Sequence, residues 1–279
     1  MEQNFSTVIV PKTKLLDFHL KELVRYRDLI FLFVKRSFVA RYKQTILGPA
    51  WALIQPLIST LVFTVVFGKI AGLAPGGVPA FLFFMSGNIA WGYFSGCLTA
   101  TANTFTGNAG IFGKVYFPRL VTPISTVLSQ LIGFGIQFFL FLIFLVIYWV
   151  KGEVQPTLYV LMLPLLLLHM AMLSLGVGII ISSLTTKYRD LQMLVGFGVQ
   201  LWMYGTPVAY DIGIIPEKYM SLYMLNPMTP VINAFRKAFL GIGSFDLPHY
   251  LISWAVTLVL LGIGVMLFNR VEKTFMDTV

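Results

Sequence analysis

Six apolar runs, at 49–67, 79–101, 120–150, 157–185, 191–210 and 250–268, are separated by short polar breaks, and none carries an acidic or basic side chain near its middle. A helix needs roughly 20 apolar residues to cross the hydrocarbon, and a charge at mid-bilayer costs several kcal/mol. The pattern therefore predicts an all-α membrane protein with six transmembrane helices. Composition agrees, with 57% hydrophobic residues, 11% charged residues and a mean hydropathy of +0.83, well outside the soluble range. The short connections leave no room for a separate soluble domain. Residues 1–48 read as a cytoplasmic tail with an amphipathic helix, and 49–279 as one transmembrane domain.

The formal charge of +9 would point to nucleic acid in a soluble protein, but here its placement matters more than its sum. Nine of the 20 basic residues precede Pro49. A cytoplasmic N-terminus puts fifteen of the 20 inside and leaves Lys69, Lys151, Lys218, Arg236 and Lys237 outside. The positive-inside rule then places both termini in the cytoplasm, with lipid rather than nucleic acid as the partner of these charges. The first 48 residues contain no uninterrupted apolar stretch of the kind a cleavable signal peptide needs. Cys97 stands alone, so no intrachain disulfide is available to it, and it is expected to pack.

Three segments depart from a plain bundle. In the N-terminal one, Leu16, Leu20, Leu23, Val24, Phe31, Val34 and Phe38 recur at helical spacing opposite Lys21, Glu22, Arg25, Asp28, Lys35 and Arg36. It is too short in apolar residues to span, so it is expected to lie in the headgroup layer. The second, 211–249, alternates apolar clusters with breakers at Gly213, Pro216, Pro227, Pro230 and Gly241. Its pieces are too short to cross and too apolar for water, which predicts re-entrant or interfacial helices on the outer face, shielded by protein. The third, the inner loop 103–119, ends in the run GKVYFPR and carries Ile111, Val115, Tyr116 and Phe117 as apolar groups that need a cover. That cover is either a docking partner or the lipid interface.

No catalytic signature accompanies these features: GxxxxGK[ST], HExxH, GxSxG and Cys/His clusters at metal spacing are all missing. The glycine pairs at 133 and 135, 176 and 178, and 196 and 198 lie inside apolar runs and read as close helix packing. His169, the one titratable side chain deep in a run, reads as a hydrogen-bonded structural residue rather than a proton relay. A secondary transporter should carry intramembrane carboxylates or an internal repeat, and neither is visible. What remains is a translocation subunit powered from outside, with no ATPase of its own.

Certain motifs then carry a resemblance. RYKQTILGPAW at 41–51, KVYFPR at 114–119, YRDL at 188–191, Pro207 at the end of the fifth run, IP at 215–216, LNPM at 225–228 and FR at 235–236 occur in that order. Together they resemble the transmembrane permease subunit of bacterial polysaccharide ABC exporters, the O-antigen and teichoic acid export family. The resemblance implies a homodimer in the bacterial inner membrane with two copies of a separate ATP-binding subunit, which holds ATP and Mg. The cargo it implies is a polysaccharide on an undecaprenyl pyrophosphate-type lipid.

It further implies that the loop with Lys114, Val115, Tyr116 and Phe117 couples to the ATPase, and that Pro216, Asn226 and Pro227 belong to an outer gate. The first and fifth spans would line the path, which makes Trp51, Phe63, Phe67, Trp202, Tyr204 and Tyr210 candidate glycan-guiding aromatics; Trp and Tyr also collect at membrane interfaces without any such role. Arg36, Arg41 and Lys43, at the lipid boundary before the first span, form a candidate pyrophosphate receptor, since Arg and Lys both bind phosphate oxygens. A topology signal explains the same three residues. An ABC permease for a lipid or drug is the alternative with the same fold.

Overall fold

The computed structural model describes residues 20–43, 48–188 and 190–278, and all their regular structure is helical. Leu16 of the N-terminal pattern, residues 44–47 of RYKQTILGPAW and Arg189 of YRDL lie outside the described residues. Two short helices, α1 (Leu20–Arg25) and α2 (Arg27–Tyr42), lead into α3 (Trp51–Phe63), which continues as a π-helical segment, Thr64–Ile70. Next come α4 (Ala80–Ala102), α5 (Thr104–Phe112), α6 (Val121–Val150), α7 (Leu163–Thr185, entered through a 3-10 turn) and α8 (Leu191–Tyr204). The chain closes with α9 (Glu217–Met224), α10 (Met228–Leu240) and α11 (Leu247–Thr278).

Among the described residues, four helical stretches are long and apolar enough to cross a membrane: Trp51–Ile70, Val121–Val150, Leu158–Thr185 and Leu247–Glu272. The second and fifth apolar runs behave differently. α4 is 23 residues long and free of charge, but Ser86, Gly87, Asn88, Gly92, Ser95 and Gly96 dilute its hydropathy. Those small and polar residues suit a helix enclosed by other helices, and α4 packs against α3, α6, α7, α8 and α10. α8 stops at Tyr204, three residues before the expected break at Pro207, and is 14 residues long. The stop follows from Gly205, Thr206 and Pro207 in sequence, with Pro disfavouring helix in the residue before it.

The core has two parts. The larger gathers Phe83, Phe84, Phe94, Phe141, Phe235 and Phe239, with Cys97 buried in it. The smaller joins Leu23 of α1 to Phe105, Phe112, Phe117, Ile179, Val265 and Phe268, at the end of the bundle where α5 and the 113–119 loop lie. α7 and α11 share the most extensive helix contact, and glycines bring them together. A Cβ on Gly176 would stand 2.8 Å from the Leu261 nitrogen, and one on Gly264 would stand 2.7 Å from the Gly176 carbonyl oxygen. Gly178 meets Thr101 of α4 in the same way, at 2.7 Å. The packing role expected of Gly176 and Gly178 is therefore seen, whereas Gly135, Gly196 and Gly198 have nothing within 4 Å of where a Cβ would be.

α3 and α8 are the exceptions to this burial: Thr60 is the one buried residue of α3, and α8 has none among its described residues. Each nevertheless leans on α4, α3 through Asn88 Nδ2, which donates to Thr60 Oγ1 at 3.3 Å, and α8 through Trp202 against Phe94. Two strongly apolar helices thus keep most of their surface outside the core.

Candidate functional site

The last turn of α2 lays Arg41 across α6. The guanidinium Nη1 donates to Gln130 Oε1 at 2.9 Å, and Gln130 Nε2 donates in turn to the Gly96 carbonyl of α4 at 3.2 Å. Beside this chain of contacts lies a cavity of about 390 Å³ between α2, α3, α4 and α6, lined by Arg41, Trp51, Gln55, Tyr93, Gln130 and Gln137 among others. Glycines make room in its lining: Gly92 faces Gln137 and Gly133 faces Arg41, each with an ideal Cβ position 3.8 Å from that side chain. Of the three basic residues nominated for the headgroup, Arg41 alone lines this cavity. Arg36 and Lys43 are exposed and do not line it, Lys43 as the C-cap of α2.

At the opposite end of α8, Asn226 is a hub. Its Nδ2 donates to the Gly205 carbonyl at 2.7 Å and to Thr206 Oγ1 at 2.9 Å, while its Oδ1 accepts from Trp202 Nε1 at 2.9 Å and from the Met228 amide at 3.1 Å. One carboxamide thus satisfies the broken end of α8 and starts α10. Pro227 is tied in through its carbonyl, which accepts from Ser253 Oγ of α11 at 2.7 Å, and Ser253 also contacts His169 Nε2 at 3.1 Å. His169 is fully buried against Thr257 and stacked on Trp254, which is the structural placement its isolation predicts. Pro216 is the N-cap residue of α9.

Arg236 on α10 was counted with the outer loop charges, yet it is 3% exposed. Its Nη2 donates to the Val208 carbonyl at 2.9 Å and its guanidinium lies 3.6 Å from the Phe83 ring centroid. Burial lowers its pKa, and Asp211 acts in the opposite direction. Gly87 makes room for it, since a Cβ there would stand 3.0 Å from Arg236 Nη2. Asn226→Leu should leave the Trp202 indole N–H and the Met228 amide without a partner, at about 1–3 kcal/mol for each buried group, while the Thr206 hydroxyl keeps its bond to the Trp202 carbonyl. The expected result is a large fall in the melting temperature of the purified protein; a melting temperature equal to the parent's would mean that water replaces the carboxamide.

In the 113–119 loop, Tyr116 is 93% exposed and Val115 59%, with Lys114 also exposed. Phe117 is placed differently from the other apolar residues of its loop: it is buried against Phe33 of α2 and Phe112 of α5. Arg119 anchors the loop by donating to the Glu272 carbonyl of α11 at 2.8 Å. The exposed tip is therefore Lys114, Val115 and Tyr116, on a base that the chain itself holds.

The six candidate aromatics also separate. Trp51 and Tyr204 are about half exposed, at 50% and 48%. Phe63 and Phe67 pair at 5.0 Å, and Phe63 also meets Phe84. Trp202 is committed to Asn226, Trp91 and Phe94, and Tyr210 donates to the Tyr204 carbonyl at 2.7 Å and contacts Tyr223. The sequence reading passed over Gln55, Gln130 and Gln137. Their signal was three carboxamides inside otherwise apolar runs, two of them seven residues apart and so on one face of α6.

With this geometry in place, comparison with known proteins gives a consistent answer. Residues 28–240 match the ABC-2 type transporter family, from the start of α2 to the end of α10. The O-antigen export system permease protein RfbA of Klebsiella pneumoniae is 28% identical over 251 residues, 90% of this chain and 94% of that protein. RfbA of Myxococcus xanthus is 28% identical over 262 residues, covering 93% and 98%. The polysialic acid transport protein KpsM of Escherichia coli is 25% identical over 246 residues, covering 87% and 93%.

Proposed function

Because the chain belongs to the ABC-2 type transporter family, we propose that it is the membrane-spanning permease of an ATP-driven exporter of lipid-linked polysaccharide. The observation that carries this reading is similarity over nearly the whole length to proteins named as O-antigen export and polysialic acid transport components. The cargo is an O-antigen-class glycan on an undecaprenyl pyrophosphate-type carrier, and a separate ATP-binding subunit, present twice, supplies the energy. That subunit docks on Lys114, Val115 and Tyr116, which stand free on an anchored loop.

In this reading α3, α4, α6, α7 and α11 are spans of the bacterial cytoplasmic membrane, the apolar run 191–210 crosses as α8 together with the non-helical residues after it, and both termini lie inside. α4 counts as a span because it is charge-free and 23 residues long. α10, at 13 residues, measures about 20 Å and cannot cross about 30 Å of hydrocarbon. Twelve of those residues are buried, the shielding that a re-entrant helix needs. It forms the outer gate with α9 and the Asn226 hub. The apolar, unburied faces of α3 and α8 are the surfaces that a second copy would cover, which supports a homodimer with the path between them.

Two measurements test this. Cells lacking the protein should accumulate lipid-linked polysaccharide on the cytoplasmic side of the membrane, and a Walker-motif ATPase should co-isolate with the purified chain. Normal glycan export in the deletion strain would refute the cargo. For the path, Trp51→Leu and Tyr204→Leu should lower export at unchanged abundance, because a sugar's C–H face rests on an aromatic ring and not on a branched alkyl chain. Export at the parental rate in both variants would remove these two rings from the path.

A further inference from the structure

The cavity beside Arg41 opens to the surface at the exposed Arg41, Trp51 and Gln55, and its polar lining is almost wholly uncharged. Gln55, Gln130 and Gln137 accompany a single cation. No hydrogen bond engages Gln55 or Gln137 among the described residues, while the Tyr93 hydroxyl is enclosed by protein. Two carboxamides with no bond within the chain, beside a third that keeps a spare donor and acceptor, are placed for something that brings its own donors and acceptors.

The donor set narrows the ligand. A carboxamide both donates and accepts, as a sugar hydroxyl does, so three carboxamides match a ring bearing several hydroxyls. One guanidinium retains donors beyond the one given to Gln130, enough for a single phosphate. A bare pyrophosphate would favour more cations, and a lipid tail an apolar wall such as that of the cavity between α4, α7 and α8, where Leu98, Val177, Ile181 and Leu194 face about 240 Å³. The volume of about 390 Å³ lies at the small end of ligand pockets, which run from about 300 to 1,000 Å³, and fits one sugar rather than a chain. Trp51, half exposed on the lining, adds an aromatic face for such a ring.

We propose that this cavity reads the first sugar of the lipid-linked glycan, with Arg41 on the adjoining phosphate and Gln55, Gln130 and Gln137 on the sugar hydroxyls. The inference rests on the polysaccharide reading above and adds a selectivity site within one copy of the chain.

The test uses full-length protein in lipid nanodiscs, with the subunits that co-isolate with it. It is titrated with a prenyl pyrophosphate carrying one N-acetylhexosamine, with the same lipid lacking the sugar, and with the free sugar 1-phosphate. The parent should prefer the glycosylated lipid over the bare one by at least about tenfold, and should bind the free sugar phosphate more weakly than the glycosylated lipid. Gln55→Leu and Gln137→Leu should each erode the preference about three- to tenfold, the worth of one or two neutral hydrogen bonds, and leave bare-lipid affinity unchanged. Arg41→Gln should weaken both lipids alike.

Gly92→Leu should abolish the preference by filling the cavity, while Gly92→Ala, whose methyl makes an ordinary contact with Gln137, should keep it. Melting temperatures of all variants separate a lost site from a lost fold. Equal binding of the two lipids by the parent, or an undiminished preference in both glutamine variants and Gly92→Leu, would overturn this inference alone. Binding of neither lipid would overturn it together with the polysaccharide reading.

Discussion

Gly176→Ala and Gly264→Ala should each sharply reduce the amount of folded protein in the membrane, although each adds one methyl group. At both positions the new atom meets backbone, the Leu261 nitrogen and Cα at 2.8 and 2.9 Å from Gly176 and the Gly176 carbonyl oxygen at 2.7 Å from Gly264. A flexible side chain can swing aside, but a helix backbone moves only with its helix, so α7 and α11 would have to separate along their whole contact. Overpacking of this kind costs about 1–3 kcal/mol and sometimes more. The control lies two residues away. Gly262, also on α11, has nothing within 4 Å of its Cβ position, and Ala there should be neutral or stabilising by up to about 1 kcal/mol through helix propensity alone. Melting temperature and membrane abundance are the readouts, and the opposite signs for Gly262→Ala and Gly264→Ala are the content of the prediction. If Gly264→Ala melts with the parent, the α7–α11 seam is looser than its glycines indicate.

These glycines also show what could be read from sequence. The pair at 176 and 178 was legible as packing because glycines inside an apolar run have few other uses there. The pair at 196 and 198 has the same appearance but meets nothing in this chain, since α8 lies at the margin of the bundle. Apolar runs located the long helices because the cost of a buried charge acts on every residue of a span. They located the end of α8 poorly, because a run can stay apolar through Gly205, Thr206 and Pro207 after the helix has stopped. Arg36 and Arg41 lie five residues apart on α2. Five residues along a helix turn by about 140°, so the two side chains point to different surroundings. The fate of Arg236 was not legible, because its burial depends on the Val208 carbonyl and the Phe83 ring, brought from two other parts of the chain. Neither sequence nor propensity marks a cation for that place.

Tyr116→Asp, alone or with Val115→Asp, should abolish glycan export while leaving the abundance and melting temperature of the protein unchanged, whereas Phe117→Asp should remove the protein itself. The difference lies in what each side chain touches. Tyr116 is 93% exposed, so a carboxylate in its place remains in water and costs the fold nothing measurable. On a docked ATPase the same carboxylate would enter a desolvated contact, where losing an aromatic anchor costs about 2 kcal/mol or more of binding and an unpaired charge adds to that. Phe117 sits among Leu23, Phe33 and Phe112, where a carboxylate would have to be buried without a counter-ion. A variant carrying both changes would lose export for two reasons at once and would say nothing about docking. The single changes separate them: co-isolation of the ATP-binding subunit should fall at least about thirtyfold with Tyr116→Asp at constant permease level. Undiminished co-isolation and export in the Tyr116→Asp, Val115→Asp protein would show that the exposed tip of this loop is not where the motor binds.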